Sequence, residues 1–310
     1  MTPATDSYVC PSCKTPLTKT ATGWECTSEV YSFGLSQGIP DFVLPSRRAD
    51  VEEFLHYYGQ VRKAELWGST QIEYCLELPF RDLTRRYSSL WKIRAITYQT
   101  FIDDLQSTLP NASARILDLG AGNCWLSYRL AEHGYDVVAS DINLDARDGL
   151  LVAPRLMQQR PVRFRCIRAE FDYLPFPDGF FDAIIFNASL HYSSDPVRTI
   201  RRTLPLLSSQ GTMYILDSPY YCNQQSGQAM VKERLGYYQN NFRIQPPVKP
   251  VQSYLTFSQV EEIGAFANVI TLEPAYGFLW KIRPWLASFF RRREPATFLL
   301  LKITRRSSTP

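Results

Sequence analysis

The run Ile116-Leu-Asp-Leu-Gly-Ala-Gly-Asn-Cys-Trp-Leu-Ser-Tyr-Arg-Leu130 limits what this chain can fold into more than any other stretch. Its first half is a short apolar run, and its second half places Trp125, Leu126, Arg129 and Leu130 one helical turn apart. Gly120 and Gly122 sit on the seam, with Asp118 at the end of the apolar run. This pattern predicts a strand, a tight turn and a helix start, where glycines let the backbone approach a ligand and the first helical N–H groups lack internal partners. From Arg115 onward, strand-like and helix-like segments alternate, which predicts an α/β domain with a parallel sheet and crossover helices. The first five expected strands are Arg115–Leu119, Asp136–Ser140, Val162–Ile167, Phe181–Asn187 and Gly211–Asp217. At 310 residues and 45% hydrophobic, the chain is long and apolar enough for one such domain and a smaller module.

Asp141 closes the second strand a little over twenty residues after the glycine turn, a spacing at which an acidic side chain takes both hydroxyls of a ribose. Nicotinamide and flavin sites share that signature, so the turn and the acid alone leave the nucleotide open. The discrimination lies downstream, in Leu174-Pro-Phe-Pro-Asp-Gly-Phe-Phe-Asp182 and Leu190-His191. Together with Asp118-Leu-Gly-Ala-Gly122, these motifs resemble, in the right order from Arg115 to Leu216, the class I S-adenosylmethionine-dependent methyltransferases of the broad type 11-like group.

The resemblance implies a doubly wound, mostly parallel, seven-stranded Rossmann-like sheet, closed by an antiparallel pair near Val269–Leu272 and Ala296–Ile303. It implies S-adenosylmethionine as cofactor, with Gly120 and Gly122 along its methionine part and Asp118 near its ammonium group. It also implies Asp141 on the ribose, Ile142 against adenine, Glu170 on the adenine amino group with Phe171 beside it, and Asn187 at the sulfonium end. The charge logic is independent of the family: a cationic, zwitterionic ligand wants carboxylates, not the phosphate-cradling amides of a dinucleotide site. Cys124 stands where many members carry a third glycine, a position that mostly serves helix packing. Methyl transfer is an in-line displacement in which the enzyme positions the acceptor and, for a hydroxyl or amine, supplies a base. His191 is the candidate base, because it follows the fourth strand at the carboxyl edge and imidazole titrates near neutrality.

Seven cysteines, an odd number in a chain this long, do not suggest a disulfide framework. Three of them, in Cys10-Pro-Ser-Cys13 and Gly23-Trp-Glu-Cys26, lie before Gly38-Ile39-Pro40 and resemble Trm112-like zinc-ribbon modules from Tyr8 to Leu44. A second Cys-x-x-Cys is expected there, and Glu29 occupies its last position. The candidate metal set is therefore Cys10, Cys13, Cys26 and Glu29, a Cys₃Glu zinc site, with a degenerate metal-free packing module as the alternative.

The expected division is a ribbon-like module over 1–45, a helical cap over 46–110 and the cofactor-binding domain over 111–310. In the cap, Val51, Phe54, Leu55 and Tyr58 share one helix face, and Leu90, Ile93, Phe101 and Leu105 another. Cap aromatics such as Tyr58, Trp67 and Trp91 are expected in the core more than in a pocket. A Gly- and Gln-rich insertion, 222–251, is expected over the acceptor site, where Tyr220, Tyr221, Tyr237 and Tyr238 are secondary candidates for substrate contact. The aromatic and basic segment Gly277–Arg293 reads as a docked amphipathic helix. A net charge of +4 is too mild to argue for nucleic acid, no apolar run reaches membrane-span length, and Met1–Thr5 lacks a signal-peptide pattern, so a cytoplasmic protein is expected. The expected acceptor is a small or lipidic molecule, methylated at O, N or C. The alternatives are an rRNA or tRNA base and a non-catalytic protein that only binds the cofactor.

Overall fold

The computed structural model describes residues 8–247, 251–277, 280 and 293–306. The ribbon comprises a three-stranded antiparallel sheet, β1 (Thr18–Lys19), β2 (Trp24–Cys26) and β3 (Tyr31–Phe33), and a hairpin of β4 (Leu35–Ser36) and β5 (Ile39–Pro40). Helices α1 (Arg48–Ala64), α2 (Ile72–Glu77) and α3 (Ser88–Thr108) follow. The α/β part runs β6 (Arg115–Leu119), α4 (Trp125–Glu132), β7 (Asp136–Asp141), α5 (Ala153–Gln159), β8 (Arg165–Arg168), β9 (Phe181–Asn187), α6 (Pro196–Thr203) and β10 (Leu207–Tyr221). It continues with α7 (Gln224–Phe242), β11 (Leu255–Thr256), α8 (Phe257–Gly264), β12 (Ala267–Leu272) and β13 (Thr297–Arg305).

The main sheet has the order β12-β13-β10-β9-β6-β7-β8. Strands β6 to β10 are parallel, and β13 runs antiparallel between β10 and β12, as expected of the closing pair. Two-residue β11 adds an eighth, parallel partner at the far end of β10. Strand order reverses between β6 and β9, and at such a switch point the loops beyond the carboxyl ends splay apart and leave a crevice.

The strands read as continuous apolar runs because both faces are covered. Ile116, Val137 and Ile185 face a core layer with Trp91, Phe101 and Trp125, whereas Leu117, Val138 and Ile184 face the opposite layer with Ile200 and Leu204. Helix α3 therefore belongs to the sheet packing: Trp91, Tyr98, Phe101, Ile102 and Leu105 are buried, each worth roughly 1.5–3 kcal/mol of apolar transfer.

The third strand begins at Arg165 rather than Val162, because β8 pairs only where β7 offers a ladder, here from Val138↔Arg165 to Asp141↔Arg168. The fifth strand is longer than expected, since β9, β13 and β11 pair with successive parts of Leu207–Tyr221. Tyr220 and Tyr221 are consequently buried in β10 instead of reaching over an acceptor site. Most of the 222–251 insertion is helix α7, capped by Asn223, whose side chain accepts from the Gln225 N–H. The Gly277–Arg293 segment lies almost wholly outside the described residues.

The ribbon is docked on the α/β part by backbone as well as side chains. The Val9 N–H donates to the Pro175 carbonyl (3.1 Å), the Phe42 N–H to the Arg168 carbonyl (2.8 Å), and Lys14 Nζ to the Leu174 carbonyl (2.9 Å). Tyr8 packs its ring on Phe42 and Phe176, at centroid distances of 4.6 and 5.8 Å.

Candidate active site

A cavity of about 430 Å³ opens at the carboxyl ends of β6, β7, β8 and β9, with α1 across it. The sheet side contributes Gly120, Gly122, Asp141, Ile142, Glu170 and Phe171. The expected helix face of Val51, Phe54, Leu55 and Tyr58 lines it from α1, so a stripe read as core covers the cavity. Trp91 is core, as expected.

Local backbone geometry explains the residue types on the glycine turn. Gly120 has φ +74°, and a Cβ there would come within 2.4 Å of Ser189 Cβ. Gly122, with φ +51°, donates its N–H to Asp141 Oδ2 (2.8 Å), while the Asn143 N–H takes Oδ1 (2.8 Å). Cys124 is also left-handed, at φ +60°, which is why glycine suits that position.

Asp118 and Asn187 are not among the residues that line the cavity, and Asp118 Oδ1 and Asn187 Oδ1 are buried without hydrogen-bond partners among the described residues. Orphaned buried acceptors cost free energy and call for a donor that the protein itself does not supply. Ser127 Oγ donates to the other Asp118 oxygen at 2.6 Å. Burial pushes Asp118 up to about 7, partly opposed by the Ser127 bond, and pushes Asp141 up to about 6 against the Asn143 and Gly122 amides. Burial also raises Glu170, opposed by Arg47, whose Nη2 lies 3.0 Å from Glu170 Oε1 and whose Nη1 lies 2.6 Å from Asp50.

The cavity wall carries six carboxylates, Asp50, Glu53, Asp141, Asp148, Glu170 and Asp172, and two guanidinium groups, Arg47 and Arg198. Asp148 is held by Arg62 Nε at 2.6 Å. Arg47 and Tyr192 escaped the sequence reading: the first precedes a helix whose fold over the site is a tertiary fact, and the second adjoins the residue that drew attention.

His191 is not brought to the cavity. The single tight turn Leu190–Tyr192 sends Tyr192 to the cavity wall and turns the imidazole inward, where Nδ1 lies 3.2 Å from Ser218 Oγ. Burial, with Arg234 and Arg94 nearby, lowers its pKa to about 3, so the ring is neutral at physiological pH.

In the ribbon, Cys10, Cys13 and Cys26 bring their Sγ atoms within 4.8 Å of one another. Glu29 is not part of that cluster, although its Oε2 is buried and unpartnered. Thr15 Oγ1 lies 3.0 Å from Cys13 Sγ and 3.4 Å from Cys26 Sγ. Three thiols on two knuckles suit a thiophilic divalent ion, with the fourth position not preformed.

The doubly wound sheet, the glycine turn, the ribose-spaced acid and the acid-lined crevice together have the architecture of a class I S-adenosylmethionine-dependent methyltransferase domain. Residues 117–215 match the family model described as "Methyltransferase domain". A demethylmenaquinone methyltransferase of Thermus thermophilus is 31% identical over 148 residues, 46% of this chain and 62% of that protein. One from Clavibacter sepedonicus is 31% identical over 112 residues, 36% of this chain and 44% of that protein. The matches thus span less than two thirds of these relatives' length. Among solved structures, the YcgJ protein from Bacillus subtilis aligns with TM-score 0.47 and 14% identity over 68% of this chain and all (100%) of that one.

Proposed function

We propose that this chain binds S-adenosylmethionine in the α1-covered cavity and transfers its methyl group, by in-line displacement, to a small or lipidic acceptor. The observation that carries this reading is the charge of the wall, six carboxylates against two guanidinium groups. That imbalance favours a sulfonium that also bears an ammonium group, and repels a pyrophosphate. Asp118 and the Gly120–Gly122 turn would hold the methionine end, Asp141 the ribose, Ile142 and Phe171 the adenine faces, and Glu170 the adenine amino group. Asn187 would face the sulfonium. The orphaned oxygens of Asp118 and Asn187 suit a ligand rich in donors and positive charge.

The cofactor, when bound, supplies an electrophilic methyl group; the chain's own contribution is to orient the acceptor and exclude water. Phe54 and Tyr58 lie 5.7 Å apart at an interplanar angle of 26°, and Tyr192 stands edge-on to Tyr58 at 5.7 Å and 89°. These rings separate the cavity from a side chamber of about 40 Å³ lined by Tyr57, Val61, Val231 and Leu235 among others. Such walls favour an apolar, ring-bearing acceptor, in keeping with the relatives named demethylmenaquinone methyltransferases. His191 supports the Tyr192 turn from behind in this proposal, rather than removing a proton. In the ribbon, Cys10, Cys13 and Cys26 would hold a structural zinc ion, with the half-buried Glu29 turning its carboxylate in as fourth ligand.

Titration calorimetry tests the cofactor reading. The chain is expected to bind S-adenosylmethionine and S-adenosylhomocysteine, and D141A to bind both at least about tenfold more weakly, as for a lost hydrogen bond to a charged group. Binding of NAD alone would overturn it.

A further inference from the structure

We infer that Arg168 is a positioning residue of the cavity: its one guanidinium sets the adenine-side loop and ties that loop to the ribbon and to α1. The functional consequence rests on the cofactor reading above, whereas the positioning itself does not. Arg168 is the last residue of β8 and is only 5% exposed. Its Nε donates to the Ile142 carbonyl at 2.9 Å, its Nη1 to Asp41 Oδ2 at 3.2 Å and its Nη2 to Glu52 Oε1 at 2.5 Å. Those three acceptors belong to the cavity loop, the end of the ribbon and the lid helix.

Ile142 lines the cavity, and its carbonyl shares one planar peptide unit with the Asn143 N–H that donates to Asp141 Oδ1 (2.8 Å), so displacing the carbonyl disturbs the donor that holds the ribose-spaced carboxylate. On the ribbon side, Asp41 is itself 4% exposed and also accepts from the Val43 N–H (3.0 Å) and Arg48 Nη1 (3.1 Å). A planar fork with fixed N–H directions can serve three acceptors at once, which a lysine ammonium on a flexible stem cannot do in the same geometry. The Arg168 main chain adds a further tie, because its carbonyl accepts from the Phe42 N–H. Ribbon, lid and cavity loop therefore move as one piece around this side chain, and ligand affinity depends on how the ribbon and α1 are docked.

A structural role and a positioning role are separable here. Arg168→Met leaves Asp41 as a buried carboxylate with one cation fewer, which is strongly destabilising. Adding Asp41→Asn removes that charge and should restore most of the thermal midpoint, yet it supplies no donor for the Ile142 carbonyl. The double variant R168M/D41N is therefore expected to melt close to the unchanged chain, to bind S-adenosylhomocysteine about tenfold more weakly, and to exchange the amides of residues 141–144 faster without ligand. R168K should fall between the two, and E52Q should change affinity less than about twofold, because Glu52 is 60% exposed. Recovery of stability, affinity and amide protection together in R168M/D41N would overturn the inference. Should the unchanged chain bind neither S-adenosylmethionine nor S-adenosylhomocysteine, the cofactor reading fails, and faster exchange at 141–144 in the double variant would still establish the positioning. Unchanged exchange there would refute it.

Discussion

At Asp118, in the strand before the glycine turn, a stability cost coincides with the binding role proposed for it. Its carboxyl is 1% exposed and titrates at about 7 because burial disfavours the charge. Between about pH 4 and 7 the folded chain holds a proton that the unfolded chain has released, so this group makes stability fall as pH rises through that window. Asp141, raised to about 6, adds to the same slope at its lower end. Thermal midpoints of D118N measured from pH 5 to 8 should therefore decline less than those of the unchanged chain, and an identical slope would contradict the assignment. Binding of an ammonium group next to Asp118 lowers its pKa again. Calorimetry near pH 6.5, in buffers of different ionisation enthalpy, should then register proton release on binding S-adenosylmethionine. Most of the proposed cofactor residues were legible as residues: Gly120, Gly122, Asp141, Ile142, Glu170 and Phe171 line one cavity. His191 was legible only as a histidine near the right strand, because the facing of a one-turn helix is set by packing and not by spacing.

At the level of elements, α1 decides what the cavity is, and α7 lines the small side chamber beside it. Helix α1 was legible from its apolar stripe, but a stripe reports burial and is silent on whether a core or a ligand buries it. Helix α7 was illegible because its buried positions include Ser226 and Gly227, which leave no apolar period to read. Gly227 shows why a glycine stands in this helix. A Cβ there would lie 2.4 to 2.6 Å from ring atoms of Tyr254. Helix propensity favours alanine over glycine by about 1 kcal/mol, whereas forcing a methyl group into a packed contact costs about 1–3 kcal/mol. The clash is against a ring with little room to move, so G227A should lower the thermal midpoint; a rise would show that the ring yields freely.

On the scale of the whole molecule, the ribbon buttresses one cavity-lining segment from behind. It pairs with the backbone of Arg168 and Pro175, on either side of Glu170 and Phe171. If its three thiols hold zinc, removing the ion should loosen that support. Chelation, or C26S, is expected to make residues 8–44 susceptible to proteolysis and to weaken S-adenosylhomocysteine binding several-fold, on the order of 1 kcal/mol, while the main sheet stays folded. Resistance and affinity unaffected by chelator would argue for a ribbon held by Tyr8, Trp24 and Phe42 packing alone.

By itself the sequence determined the doubly wound sheet, the closing antiparallel pair, the order of the motifs and the acids beyond the strand ends. These follow from local signals: apolar runs, glycines at forced turns, and the fixed spacing between neighbouring parallel strands. Only the tertiary structure decided that α1 roofs the cavity, that Tyr192 and not His191 faces it, that Glu29 stands apart from the three thiols, and that Arg168 joins three parts of the chain. Those are contacts between segments far apart in sequence, fixed by packing and charge pairing that no local pattern encodes.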